Sequence, residues 1–178
     1  TLYRPGPLHS GETADYIQRR SGAKEWKHDH ELLEPITKNT LGLVLYQEQV
    51  MRVMHDIGGF TWATSESTRK VITKSQGKKV FEKLRKEFVH NAKDKGLGEK
   101  EAEHVFNVVS MFGSYGFNLS HAVEYTIISY WCAWLKTYYP KEFFAELMTR
   151  ENESYQLSNY IKEAMKTGIE IMLPDINE

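Results

Sequence analysis

The chain has 178 residues, 40% hydrophobic and 26% charged, with a formal net charge of −1 and a single cysteine. This is the composition of a folded domain with a sizeable core, not of a disordered chain. One cysteine excludes an internal disulfide and points to a reducing compartment, and no apolar run approaches the ~20 residues a membrane span needs. The charge is unevenly spread. Ten basic and three acidic residues lie between Arg69 and Lys95, so that segment carries +7 and the remainder −8. Such a stripe is a local field that steers anionic partners.

The chain opens on Thr1 rather than Met, which reads as a cut within a longer protein. Leu2–Leu8 is a stiff segment braced by Pro5 and Pro7. Residues 12–20 read as a short helix contacting through Tyr16 and Ile17, residues 21–30 as a loop, and residues 32–38 as another short helix. Residues 41–46 form the one β-like run. Helix is expected over 47–57, with Val50, Val53, Met54 and Ile57 on one face, and Gly58-Gly59 ends it. Thr64 or Ser65 would cap the next helix, through about Lys74. Residues 78–95 form a long amphipathic helix with Val80, Phe81, Leu84 and Phe88 inward. Residues 99–111 follow, with Ala102, Val105, Phe106, Val109 and Phe112 on one face.

Gly113 and Gly116 then make a loop, and a helix begins near Ser120. It is apolar nearly all round (Ile127, Ile128, Trp131, Ala133, Trp134, Leu135). A helix of that kind is expected at the centre of a domain with others packed on it. Trp131→Ala would then cost roughly 3–5 kcal/mol, and Cys132 would be buried and inert. Pro140 opens a further helix, residues 154–166 form the last, and residues 169–177 are extended. The fold class is all-α, a multi-helix domain around a central apolar helix, with one or two short extended segments.

Arg69, Lys70 and Lys74 fall within two helical turns, where they would hold a polyphosphate or a DNA backbone. The alternative is a solvated charged face. The loop Tyr115–His121 sets two aromatic residues beside a glycine, ahead of a helix N-terminus carrying Ser120 and His121. That end suits phosphate, and the aromatics suit base stacking; a plain helix-capping loop is the other reading. His28-Asp29-His30 has no third or fourth ligand at a metal-binding spacing. There is no paired Asp-x-Asp, no Walker sequence and no Gly-x-Ser-x-Gly.

Three blocks carry a resemblance: Tyr3-Arg-Pro-Gly-Pro-Leu8, Val44-Leu-Tyr-Gln-Glu-Gln-Val-Met51, and Tyr115 to Ala122. With Tyr130 to Pro140, Glu142-Phe143-Phe144 and Gly168 to Asn177, they stand in the order found in the bacterial C-family replicative polymerases, the DNA polymerase III alpha subunits, and cover essentially the whole chain. The resemblance implies that residues 1–178 are the helical fingers domain. The palm, upstream and absent, would carry the aspartates and Mg²⁺, so this piece would hold no metal and be inactive alone. It implies contacts to the incoming dNTP from Arg69, Lys70, Lys74, Asn118, Ser120, His121 and Tyr125. Primer–template DNA would be met by Lys78, Lys79, Lys83 and Lys86. The partners implied are the palm and thumb and, through other regions, the sliding clamp and replisome, in a bacterial cytoplasm and not at a membrane.

The chain departs from the family pattern at Lys70 for Arg, Thr73 for Gly, Ser75 for Lys, Leu119 for Lys, and Val123-Glu124 for two small residues. These mark a divergent member, of bacterial or phage origin. A helical DNA-binding module without polymerase activity, its basic stripe tracking phosphates, is the competing reading.

Overall fold

A computed structural model describes residues 2–74, 78–113 and 116–172, with the side chains of residues 73, 74, 78, 112 and 113 outside the description. Among the described residues there are ten α-helices and no strand, so the fold is all-α. The chain divides into two compact units, residues 1–119 and 120–178.

The first unit begins with α1 (Pro5–Ser10) and α2 (Glu12–Arg20). The Pro-braced segment is therefore helical from Pro5, with Pro7 buried. Ile17, expected as a contact, is 58% exposed. A 3₁₀ turn, the short α3 (Glu34–Thr37) and a second 3₁₀ turn lead to residues 41–46. The expected β run forms no strand; it is an extended strip whose one ladder contact is a parallel bridge between Tyr46 and Phe117. Leu41 turns the chain into it with φ +57°, unusual for a branched residue.

Most of the core of the first unit lies in the next four helices. α4 (Gln47–Arg52) runs into a π-helical turn, Val53–Ile57. Val50, Val53, Met54 and Ile57 are all buried, as their spacing predicts. α5 (Trp62–Lys74) starts earlier than expected, because Thr61 Oγ1 accepts the Thr64 N–H at 3.1 Å and is the true cap. α6 (Lys78–Asp94) and α7 (Glu99–Gly113) pack on each other. Phe106 is fully buried between Phe81 and Phe88, with ring centroids 5.3 Å from each. Val80, expected inward, is 48% exposed. Gly58 permits the closest approach in this core. A Cβ there would stand 2.4 Å from Phe88 Cδ2, and Asn91 Nδ2 donates to the Gly58 carbonyl at 2.8 Å.

The strip 41–46 is fixed by a buried glutamine. Gln49 Oε1 accepts the Leu45 and Tyr46 N–H groups at 2.8 and 2.9 Å. Its Nε2 donates to the Ile36 carbonyl, Thr40 Oγ1 and the Leu43 carbonyl at 3.0, 2.7 and 3.4 Å. One amide thus satisfies groups that no helix or sheet pairs.

The second unit contains α8 (Leu119–Tyr138), whose first residue belongs to the first unit, then α9 (Pro140–Arg150) and α10 (Ser154–Lys166). α9 and α10 pack together, with Phe144 and Ala164 buried. Here the reading of a central apolar helix is overturned. α8 has no buried residue, and Trp131 is 60% exposed. Cys132, expected buried, is exposed. Apolar content alone does not say what a helix packs on; the buried cluster is drawn from α4 to α7 and the segments before them. Residues 173–178, in the expected extended tail, lie outside the described residues.

Two outcomes follow from these placements. Gln49→Ala leaves buried backbone groups without partners and should lower unfolding free energy by about 3 kcal/mol in urea denaturation. Trp131→Ala on the 178-residue chain should change it by less than about 0.5 kcal/mol, as at other exposed sites.

Candidate nucleotide and nucleic-acid site

The loop Gly116–Leu119 is positioned by the Gln-Glu-Gln run that opens α4. Gln47 N–H donates to the Phe117 carbonyl at 2.9 Å, and Phe117 N–H to the Leu45 carbonyl at 3.2 Å. Gln47 Nε2 donates to the Gly116 carbonyl at 2.9 Å. A Cβ on Gly116 would press to 3.3 Å from Gln47 N and Cγ, so glycine allows the loop to lie this close. Glu48 Oε2 accepts the N–H of Leu119, the first residue of α8, at 2.9 Å. Arg4 completes the arrangement, its guanidinium carbon 4.4 Å from the centre of the Phe117 ring. The three blocks that carry the sequence resemblance are thus in contact.

Arg69 lies on α5 with its side chain 15% exposed. Its Nε and one terminal nitrogen each donate to a different oxygen of Glu66 at 2.8 Å. Lys70 Nζ stands 3.3 Å from the same carboxylate. These cations hold the Glu66 pKa down to about 2, Arg69 first through its hydrogen bonds and Lys70 after it. Glu66 in turn raises the Arg69 pKa, with a smaller contribution from the charge of Glu48. Two cations around one carboxylate leave the cluster with net charge +1, fixed in place by a bidentate pair. Spacing alone did not reveal Glu66, although it stands three residues before Arg69 on the same helix.

Asn118 is exposed at the end of the loop. Ser120 and His121 are exposed in the first turn of α8, and the His121 ring meets Tyr125 edge-on with centroids 4.4 Å apart. Arg69, Lys70 and Asn118 belong to the first unit, and Ser120, His121 and Tyr125 to the second. The side chains of Lys74 and Lys78, and the whole of Tyr115, lie outside the described residues. Phe117, one of the two aromatics expected to stack on bases, lies under Arg4. The helix end expected to take phosphate has its Leu119 N–H bonded to an internal carboxylate.

Lys79, Lys83 and Lys86 are exposed and share one face of α6, where with Glu82 they line an open depression of about 660 Å³. Among the described residues none of the three forms an ion pair. Arg85 is committed to structure instead, bridging Glu82 at 3.1 Å and Glu103 of α7 at 2.9 Å. Among the described residues no three His, Cys, Asp or Glu side chains gather as a metal site. No described helix is long and apolar enough to cross a membrane.

Residues 1–96 match the model of the bacterial DNA polymerase III alpha subunit finger domain. The DNA polymerase III subunit alpha of Aquifex aeolicus is 40% identical over 177 residues, which are 99% of this chain and 15% of that protein. Its counterparts in Campylobacter jejuni and Escherichia coli K12 are 38% and 35% identical, covering 99% of this chain and 15% and 16% of theirs. The chain therefore spans about a seventh of the length of these relatives. With more than half of its residues matched by that model, the chain belongs to the bacterial DNA polymerase III alpha subunit finger-domain family.

Proposed function

We propose that residues 1–178 serve as the fingers of a replicative DNA-directed DNA polymerase, gripping the incoming dNTP while the reaction proceeds on a palm outside this chain. Arg69 and Lys70 provide fixed positive charge for the β- and γ-phosphates, with Lys74 as the third cation. Asn118, Ser120, His121 and Tyr125 contact the nucleotide from the loop and the start of α8. Lys78, Lys79, Lys83 and Lys86 track the phosphates of primer–template DNA. Mg²⁺, held by palm aspartates, would supply charge neutralisation and nucleophile activation. The work proposed for this chain is orientation and electrostatic stabilisation. The setting is the bacterial cytoplasm, with thumb, clamp and replisome engaged through other regions.

The observation that carries this reading is the net-positive cluster of Glu66, Arg69 and Lys70 in a chain of the fingers family. Glu66 is ionised at any physiological pH, since its pKa is held near 2. The guanidinium is therefore oriented before any ligand arrives, which lowers the ordering cost of binding.

In a full-length alpha subunit carrying this chain, Arg69→Ala should lower kcat/KM for dNTP by about 10–100-fold. An unchanged kcat/KM removes Arg69 from the site. The unpaired lysine row of α6 favours a second reading, a stand-alone DNA-binding module. That reading requires the 178-residue chain to hold duplex DNA by itself, and replacing Lys79, Lys83 and Lys86 with alanine to reduce the slope of log K against log salt by about 2–3. The fingers reading expects weak binding by the chain alone.

A further inference from the structure

Two neighbouring side chains of α4 hold the loop at its two ends, Gln47 at the Gly116 carbonyl and Glu48 at the Leu119 N–H. Glu48 differs from the other contacts in carrying charge. A carboxylate on the first N–H of a helix makes a charge-assisted bond and meets the positive end of the helix dipole. The first N–H groups of a helix have no partner within it, so Glu48 supplies one that the loop does not. Its charge also adds, after Glu66, to raising the Arg69 pKa.

We infer that Glu48 is a positioning residue of the nucleotide site, its carboxylate fixing the Leu119 end of the loop, and with it Asn118, against α4. This rests on the reading of the loop and Arg69 as nucleotide contacts. Glu48 has two opposed effects on a polyphosphate: it anchors the loop, and it repels an anion. Glu48 is only partly buried and its bond to Leu119 is open to solvent, so water and salt screen the repulsion; water can hydrate a freed Leu119 N–H, but it does not tie the loop to α4. Anchoring therefore dominates.

The test uses the full-length polymerase with steady-state kinetics. Glu48→Ala should raise the KM for dNTP about tenfold and change kcat by less than about threefold. Glu48→Gln keeps an oxygen acceptor for Leu119 and should return KM to within about threefold of the parent. If Arg69→Ala raises KM and Glu48→Ala does not, the inference fails while the nucleotide reading stands. A fall in KM for Glu48→Ala makes Glu48 a competing anion and overturns the inference. If neither variant responds, both readings fall.

Hydrogen exchange on the 178-residue chain separates anchoring from unfolding. Glu48→Ala should speed exchange of the Leu119 amide about tenfold and leave the amides of α7 unchanged. Equal acceleration in α7 assigns Glu48 a general stabilising role and overturns the inference.

Discussion

The arrangement of the first unit depends on the amide of Gln49. A strip of extended backbone passes beside a helix without a sheet to pair its polar groups. Left unpaired in the interior, such groups would cost more than their bonds contribute when made. A glutamine suits the task because it offers both an acceptor and two donors on one planar group. Placed on α4, it receives two N–H groups from the strip and donates toward Ile36, Thr40 and Leu43. With the strip fixed, Leu45 and Gln47 present backbone groups to Phe117, and the distant loop is located by sequence-remote hydrogen bonds.

The same four residues of α4 therefore divide their labour by side-chain chemistry. Gln49 faces inward and fixes the strip; Gln47 and Glu48 face the loop; Val50 enters the core. A helix start is well suited to this, since its residues point in several directions within one turn. Binding energy spent on arranging such a loop in advance is not spent again when a ligand arrives. The cation cluster on α5 follows the same logic, with Glu66 orienting Arg69.

Much of the helical framework was legible in the sequence. The apolar period of α4 and its π turn, the α7 face from Ala102 to Val109, and the proline start of α9 lie where the sequence placed them, Phe112 being outside the described side chains. Those features depend on neighbours within about one to three turns. The bridge between Tyr46 and Phe117 joins residues far apart in the chain and leaves no periodic trace. The resemblance identified the Gln-Glu-Gln block as a family mark without revealing that its side chains grip the loop. The helix cap at Thr61 was missed because Thr64 and Ser65 are equally good capping types. The widest departure from expectation is α8, whose hydrophobic circumference predicts burial although none of its residues is buried; hydrophobicity states a preference for contact and names no contact. Cys132 was misplaced for the same reason, its exposure being inherited from its helix.

Gly58 has a consequence for the lysine row. Phe88 of α6 lies where a methyl group on residue 58 would stand, while Lys79, Lys83 and Lys86 occupy exposed positions on that same helix. The absence of one side chain thus sets how deeply α6 beds into the unit, and with it where three positive charges are presented. Selection for charge placement on the outer face can act on a residue that bears no charge and never meets the solvent-facing groups it aligns.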